Sequence, residues 1–273
     1  MGDPDEDLFG GREPEGVSSS AAFSVAAGKE EEGSLAGTVT GSASTHSGSL
    51  PHRLCSVDMC EVFSPPRVGK EAVKFGMKVG DAMDLTTGWD FNIPEHRKKA
   101  EEYVDKEKPL VLIGSPPCVA FSQLQPLIPD SQRKANQLAE GIRHMEFVVR
   151  LYRKQVEGGR VFIHENPAHA KSWVLPPIRK VMRELGVQVV EADQCMFGLT
   201  TWGPNKSQLM LAKKPTRFMT NSQILGRELA RKCDKTHEHV IVRGTVKLPP
   251  SGPWVSRAKL SAAYPLALGL AWG

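Results

Sequence analysis

Residues 109–124 read PLVLIGSPPCVAFSQL, and this stretch decides the fold. Its first six residues are uncharged, mostly apolar and bounded by turn formers, the pattern of a buried strand. Gly114 and Ser115 then leave the strand. Pro116 and Pro117 fix two φ angles and remove two backbone donors just before Cys118, so the thiol is presented in one orientation past a strand end. A nucleophile needs such placement to convert proximity into rate. A structural cysteine packed in a proline-rich turn gives the same pattern.

Outward from this strand, short apolar runs alternate with helical periodicity. On the N-terminal side VDMCEVF (57–63) reads as a strand, RVGKEAVKFG (67–76) as a helix closed by Gly76, and MKVGDAMDL (77–85) as a second strand. GWDF (88–91) reads as a short third strand, and PEHRKKAEEYVDKEK (94–108) as a polar helix opened by Pro94. On the C-terminal side VAFSQLQPLIPDSQ (119–132) reads as a mobile loop able to close as a lid. Leu138, Ile142, Met145, Val149, Tyr152 and Val156 then fall on one helical face, ended by Gly158 and Gly159. RVFIHENP (160–167) is the next strand, PPIRKVMRELG (176–186) a helix and VQVVEADQ (187–194) a further strand. Strands alternating with helices predict an α/β fold, a mostly parallel sheet with helices on both sides. Ligands on such sheets bind at the carboxyl ends of the strands. Asp84, Cys118 and Glu165 fall just past predicted strand ends, so they are expected on one rim.

Residues 1–52 are rich in Ser, Gly, Ala and Glu and are read as a disordered acidic tail. The first 50 residues carry nine acidic and two basic side chains, a net of −7, which leaves +11 on the remainder of a chain whose formal charge is +4. A basic body suits a phosphate backbone, and solvated lysine-rich helix faces produce the same count. Cys55, Cys60, Cys118, Cys195 and Cys233 are too scattered for a disulfide framework and are expected as free thiols. No secretory signal or apolar span of about 18 residues is present, so a chain acting in the nucleus or cytoplasm, off the membrane, is expected.

HENP (164–167) sets a carboxylate beside a carboxamide at a strand end. GSPPCVAFSQL followed by FIHENP, with one long helix between, resembles the C5-cytosine DNA methyltransferases. EVFSPPRV, DLTTGWDF, EGGRVFIHENP, DQCMFGL, CDKTHEHV and AAYPLAL are closer still to methyltransferase-like segments of retroelement polyproteins. The resemblance covers roughly residues 55–268. It implies a Rossmann-like, doubly wound domain of the class I S-adenosylmethionine type over 53–268, with residues 269–273 as a truncated end. It also implies Cys118 as the nucleophile at cytosine C6, Glu165 as the group engaging N3, and Asn166 as the holder of the loop. S-adenosylmethionine is the implied cofactor and DNA the implied partner, with RNA as the alternative. Phe63, Ser64, Asp84, Asp90 and Pro116 are the implied cofactor contacts, Asp84 for the ribose hydroxyls and Asp90 for the adenine amine. Each Asp equally fits a helix cap or turn. The chemistry asks for surroundings that favour the thiolate, and for a target base flipped out of its stack.

Three departures accompany the resemblance. The turn after the first strand reads Glu61-Val62-Phe63-Ser64-Pro65-Pro66-Arg67, with prolines where glycines are usual. GPNKSQLMLA (203–212) offers only Lys206 and Gln208 in place of a Gln-x-Arg-x-Arg stretch, and lysine lacks arginine's forked donors. No target-recognition segment is present, so specificity would come from a partner or a fused element protein. A catalytically inert nucleic-acid-binding module of a retroelement is the alternative function. Cys195, Cys233, His237 and His239 add up to a Cys2His2 set suited to zinc, but the spacing matches no zinc finger and His-x-His on a strand would split across two faces. No metal is therefore expected. His144 and His164 read as structural.

Overall fold

A computed structural model describes residues 55–123, 125–203, 208–248 and 252–261. The tail at 1–52, Lys206, the AAYPLAL stretch and the end at 269–273 lie outside the described residues. The elements run β1 (Met59–Val62), α1 (Val68–Lys74), β2 (Val79–Met83), α2 (Pro94–Glu107), β3 (Val111–Gly114), α3 (Gln132–Glu157), β4 (Val161–Pro167), α4 (Pro176–Val181) and β5 (Gln188–Asp193). Then follow β6 (Thr200–Trp202), β7 (Leu209–Lys213), β8 (Pro215–Thr220), α5 (Gln223–Leu229), β9 (Val240–Ile241), β10 (Thr245–Lys247), β11 (Trp254–Ser256) and α6 (Arg257–Leu260).

The principal sheet has six strands in the order β2-β1-β3-β4-β8-β5. β1, β2, β3 and β4 pair in parallel, whereas β8 lies antiparallel between β4 and β5. Five of the six strands therefore run in one direction and β8 alone runs against them, a mixed sheet that is mostly parallel as expected. A parallel neighbour requires a crossover of a dozen or more residues, usually a helix. After β5 the chain returns through the short pair β6 and β7, so β8 enters in the reverse direction.

Alternating side chains build two apolar layers. Cys60, Val62, Leu112, Phe162 and Met219 pack on one face with residues of α2, α3 and α4. The other face packs Met59 and Ile113 against α1, and Ile163, Ala192 and Phe218 against Leu229 of α5. Pro94 starts α2 at its first turn as expected, and Gly76 follows α1 at φ +78°.

Three expectations fail locally. GWDF is not a strand: Asp84 caps a 3-10 turn at Leu85–Thr87, Gly88 is left-handed at φ +88°, and Phe91 turns inward. Its backbone is held by side chains, with the Asp90 N–H on His96 Nδ1 at 2.9 Å. Leu138 is 44% exposed, and the burial of α3 begins only at Gly141. From Gly141 onward the helix buries a wider arc than the expected stripe, taking in His144, Phe147, Val148, Leu151 and Gln155. Finally, α4 stops at Val181, and residues 182–186 form turns. No helix among the described residues is long and apolar enough to cross a membrane.

Candidate active site

β1 leads outward to β2, and the chain then crosses to β3 on the other side of β1. The order reverses between β1 and β3, the place where open α/β sheets leave a crevice at their carboxyl ends. The turns at residues 63–66 and 115–118 leave the sheet there, and Glu165 lies in the last half of the neighbouring β4.

The register fixes what meets at this rim. Gly114 pairs with His164, so Glu165 stands one residue beyond the last β3 partner. Asn166, only 1% exposed, donates through Nδ2 to the Pro116 carbonyl at 3.2 Å and accepts at Oδ1 from the Ser172 hydroxyl at 3.0 Å. Its Nδ2 also reaches the Glu165 carbonyl at 2.5 Å. One carboxamide thus ties the Pro-Pro-Cys turn to β4 and to the following 3-10 turn. The Cys118 carbonyl accepts from Phe121 N–H at 2.9 Å, and Phe121 is buried against Gly141 of α3. A Cβ on Gly141 would lie 3.0 Å from the Ala120 and Phe121 side chains, so glycine lets the helix approach this turn without displacing them. Beyond the anchor, Leu127 and Ile128 of the expected lid are exposed.

Cys118 is half-buried. Burial pushes its thiol up, the Glu165 carboxylate adds to the effect, and Lys214 opposes it. This reverses the expectation of thiolate-favouring surroundings: the resting site holds a thiol, and the cation that acts on it among the described residues stands between β7 and β8. Glu165 is 7% exposed, a carboxylate set into the protein rather than on its surface.

Beneath the turn, Tyr152 Oη and His164 Nδ1 pair at 2.9 Å in full burial. Burial pushes the His164 imidazole down to about 3, so it is neutral. A Cβ on Gly114 would come 2.0 Å from Tyr152 Oη, so the strand end must be glycine for the ring to fit. The structural reading of His144 and His164 agrees with their burial among aromatic rings.

The other expected contacts have internal partners. Phe63 takes a left-handed φ of 56°, the conformation glycine would adopt freely, and its ring packs at 4.7 Å from Phe91 and 5.0 Å from His144. Ser64 is buried and donates to Glu61 Oε2 at 2.6 Å. Asp84 Oδ1 accepts from Thr86 N–H at 2.9 Å, and Asp90 Oδ1 accepts from Asn92 N–H at 2.9 Å. Both aspartates therefore serve as caps of their turns, the alternative that the sequence left open. Pro116 is buried and contributes its carbonyl to Asn166. Gln208 is exposed just before β7.

Sequence reasoning missed Glu61, Ser172 and Lys214. Glu61 is 1% exposed, and its Oε1 takes the Gly69 N–H at 2.8 Å. Burial pushes its carboxyl up against the pull of Ser64 and of the Gly69, Val68 and Arg67 N–H groups. An acidic residue in an otherwise apolar strand, eight before a glycine, was the available signal. Lys214 had none, because β8 was not foreseen. No protein-family model matches the chain, and no curated protein matches it.

Proposed function

We propose that the chain is a C5-cytosine methyltransferase-type enzyme acting on DNA, built on a Rossmann-like doubly wound sheet and derived from a retroelement. The observation that carries this reading is the junction at the β3–β4 rim, where the Asn166–Pro116 bond holds the Cys118 turn beside Glu165. A binding module needs neither a thiol nor a buried carboxylate there. The reversal of strand order between β1 and β3 supports the fold assignment.

The residues at the crevice fit the adenosine half of S-adenosylmethionine. Asp84 and Asp90 offer carboxylates oriented by their own turns, and Phe63 offers an aromatic ring. When bound, the cofactor supplies an electrophilic methyl group. Cys118 gives its proton to solvent and Sγ adds to cytosine C6, which makes C5 nucleophilic. Glu165 holds N3 through a shared proton; once that proton is shared, the charge that raises the Cys118 thiol is neutralised. Lys214, whose charge favours thiolate, continues to act on Cys118. After methylation the C5 proton leaves to a base and the ring expels Cys118. Asn166 positions the turn throughout. With DNA as substrate, the place of action is the nucleus or cytoplasm.

The inert-module reading has its own observation. Glu61 and Ser64 fill the turn after β1, and Pro65 and Pro66 stiffen it. Calorimetric titration of the full chain with S-adenosylmethionine and its demethylated product separates the two. Micromolar binding supports the enzyme; no binding by demonstrably folded protein supports the module.

A further inference from the structure

Two strands from Glu165 on the same rim, a second group of chemistry-bearing side chains comes together. Cys195 sits in the 3-10 turn Gln194–Phe197 that follows β5, and it is buried. Cys233, His237 and His239 lie on irregular chain between α5 and β9 and are half-buried. Residues 237–239 are not a strand, so alternation does not separate the two imidazoles. Their ring centroids stand 4.5 Å apart. The ligand atoms of all four residues lie within 4.8 Å of one another.

The spacing suits one small tetrahedral ion. Cys233 Sγ is 3.7 Å from His237 Nε2 and 3.3 Å from His239 Nε2. Around zinc, with Zn–S about 2.3 Å and Zn–N about 2.0–2.1 Å, a sulfur and a nitrogen ligand stand about 3.6 Å apart. The surroundings are also those of a ligand set. Asp234 Oδ1 lies 3.6 Å from His237 Nδ1, which leaves Nε2 to face the thiols. The Lys235 N–H donates to Cys233 Sγ at 3.3 Å from a left-handed residue at φ 63°, so the backbone bends to serve the sulfur. Cys233 is itself fixed to the end of β5, its N–H on Asp193 Oδ2 at 2.9 Å. Asp193 N–H in turn donates to the Arg231 carbonyl at 2.9 Å.

We propose that Cys195, Cys233, His237 and His239 form a structural Cys2His2 zinc site that staples residues 231–241 to the carboxyl end of β5. Each thiol gives its proton to solvent, and the two thiolates balance the two charges of the ion. Four protein ligands leave no open position, which makes the site structural rather than catalytic. The segment it would hold has no helix and only the two residues of β9 as strand, so metal supplies order that backbone bonding does not. This inference stands whether or not the rim transfers methyl groups.

The test uses full-length protein purified under reducing conditions without chelator. Metal analysis is expected to give one equivalent of zinc per chain, and cobalt exchanged into the site is expected to show tetrahedral d–d bands with thiolate charge transfer. Cys233→Ser and His239→Ala should each abolish tight binding, whereas Cys55→Ser, outside the cluster, should retain it. If a cluster variant fails to fold, chelation of the wild-type chain serves instead: proteolysis within 231–241 should accelerate about tenfold or more as the staple is withdrawn. Reduced, folded protein that holds no zinc and gives no tetrahedral cobalt spectrum overturns the proposal. So does a Cys195–Cys233 disulfide that, once reduced, still binds no metal, or cobalt binding that survives Cys233→Ser.

Discussion

Replacing Asn166 with alanine removes the carboxamide that joins the Cys118 turn to the sheet. The Pro116 carbonyl and the fully buried Ser172 hydroxyl lose a partner, and the Nδ2 bond to the Glu165 carbonyl goes as well. A buried polar group left unsatisfied costs about 1–3 kcal/mol, so the pair costs about 2–6 kcal/mol. A domain with about 5–15 kcal/mol of stability stays folded at 25 °C. At about 2–4 °C per kcal/mol for a domain of this size, Tm should fall by about 4–24 °C. Asn166→Asp keeps the acceptor for Ser172 but buries a carboxylate oxygen against the Pro116 and Glu165 carbonyls, so its Tm should fall at least as far. The loosened turn should expose the thiol: alkylation of Cys118 by iodoacetamide, followed by intact mass, should run about tenfold faster, the factor that about 1.4 kcal/mol of lost restraint represents. Adduct formation with substrate should instead become slower, because the nucleophile is misplaced. An Asn166→Ala protein that melts within a degree of wild type and alkylates at the same rate would show that this carboxamide does not hold the turn.

Other perturbations test the charges and packing around the same rim. Glu165→Gln removes the carboxylate that raises the Cys118 thiol, so alkylation at mildly alkaline pH should accelerate about threefold or more. Lys214→Met should slow it, and movement of both variants in one direction would refute the assignment of charges. Gly114→Ala forces a Cβ against Tyr152 Oη, which His164 holds in place, and should lower the urea midpoint by an amount equivalent to about 1–3 kcal/mol; an unchanged midpoint would mean the ring has room. Unfolded His164 takes a proton near pH ~6.5, while burial holds the native ring neutral to about 3. The native state thus binds fewer protons in that window, and its stability is full above pH ~6.5 and lost as pH falls toward 3. His164→Gln should flatten this acid limb in denaturant titrations, and an identical limb would remove His164 as its source.

Much of the fold was legible because strand burial and helix periodicity are local signals. PLVLIG is uncharged and has no other good use than as a buried strand, and Pro94 and Gly76 mark helix ends by what their backbones can adopt. The rim was legible in part: placing Cys118, Asp84 and Glu165 near strand ends required only the strand assignments. GWDF was misread because Trp89 and Phe91 look like strand residues, whereas a capped turn packs Phe91 on Phe63 and Phe147 and sets Trp89 against His96 and Tyr103. β8 was missed because its partners, β4 and β5, are distant in sequence, and Lys214 disappeared with it. The four Cys and His residues were visible as a set, but their convergence depends on irregular chain that no periodicity encodes.

The most direct measurement of the central claim is covalent trapping. Full-length protein, S-adenosylmethionine and DNA containing 5-fluorocytosine should yield one protein–DNA adduct, mapped by peptide mass to Cys118 and absent in Cys118→Ser. An adduct that persists in Cys118→Ser, or none from folded protein shown to bind both cofactor and DNA, would contradict the account.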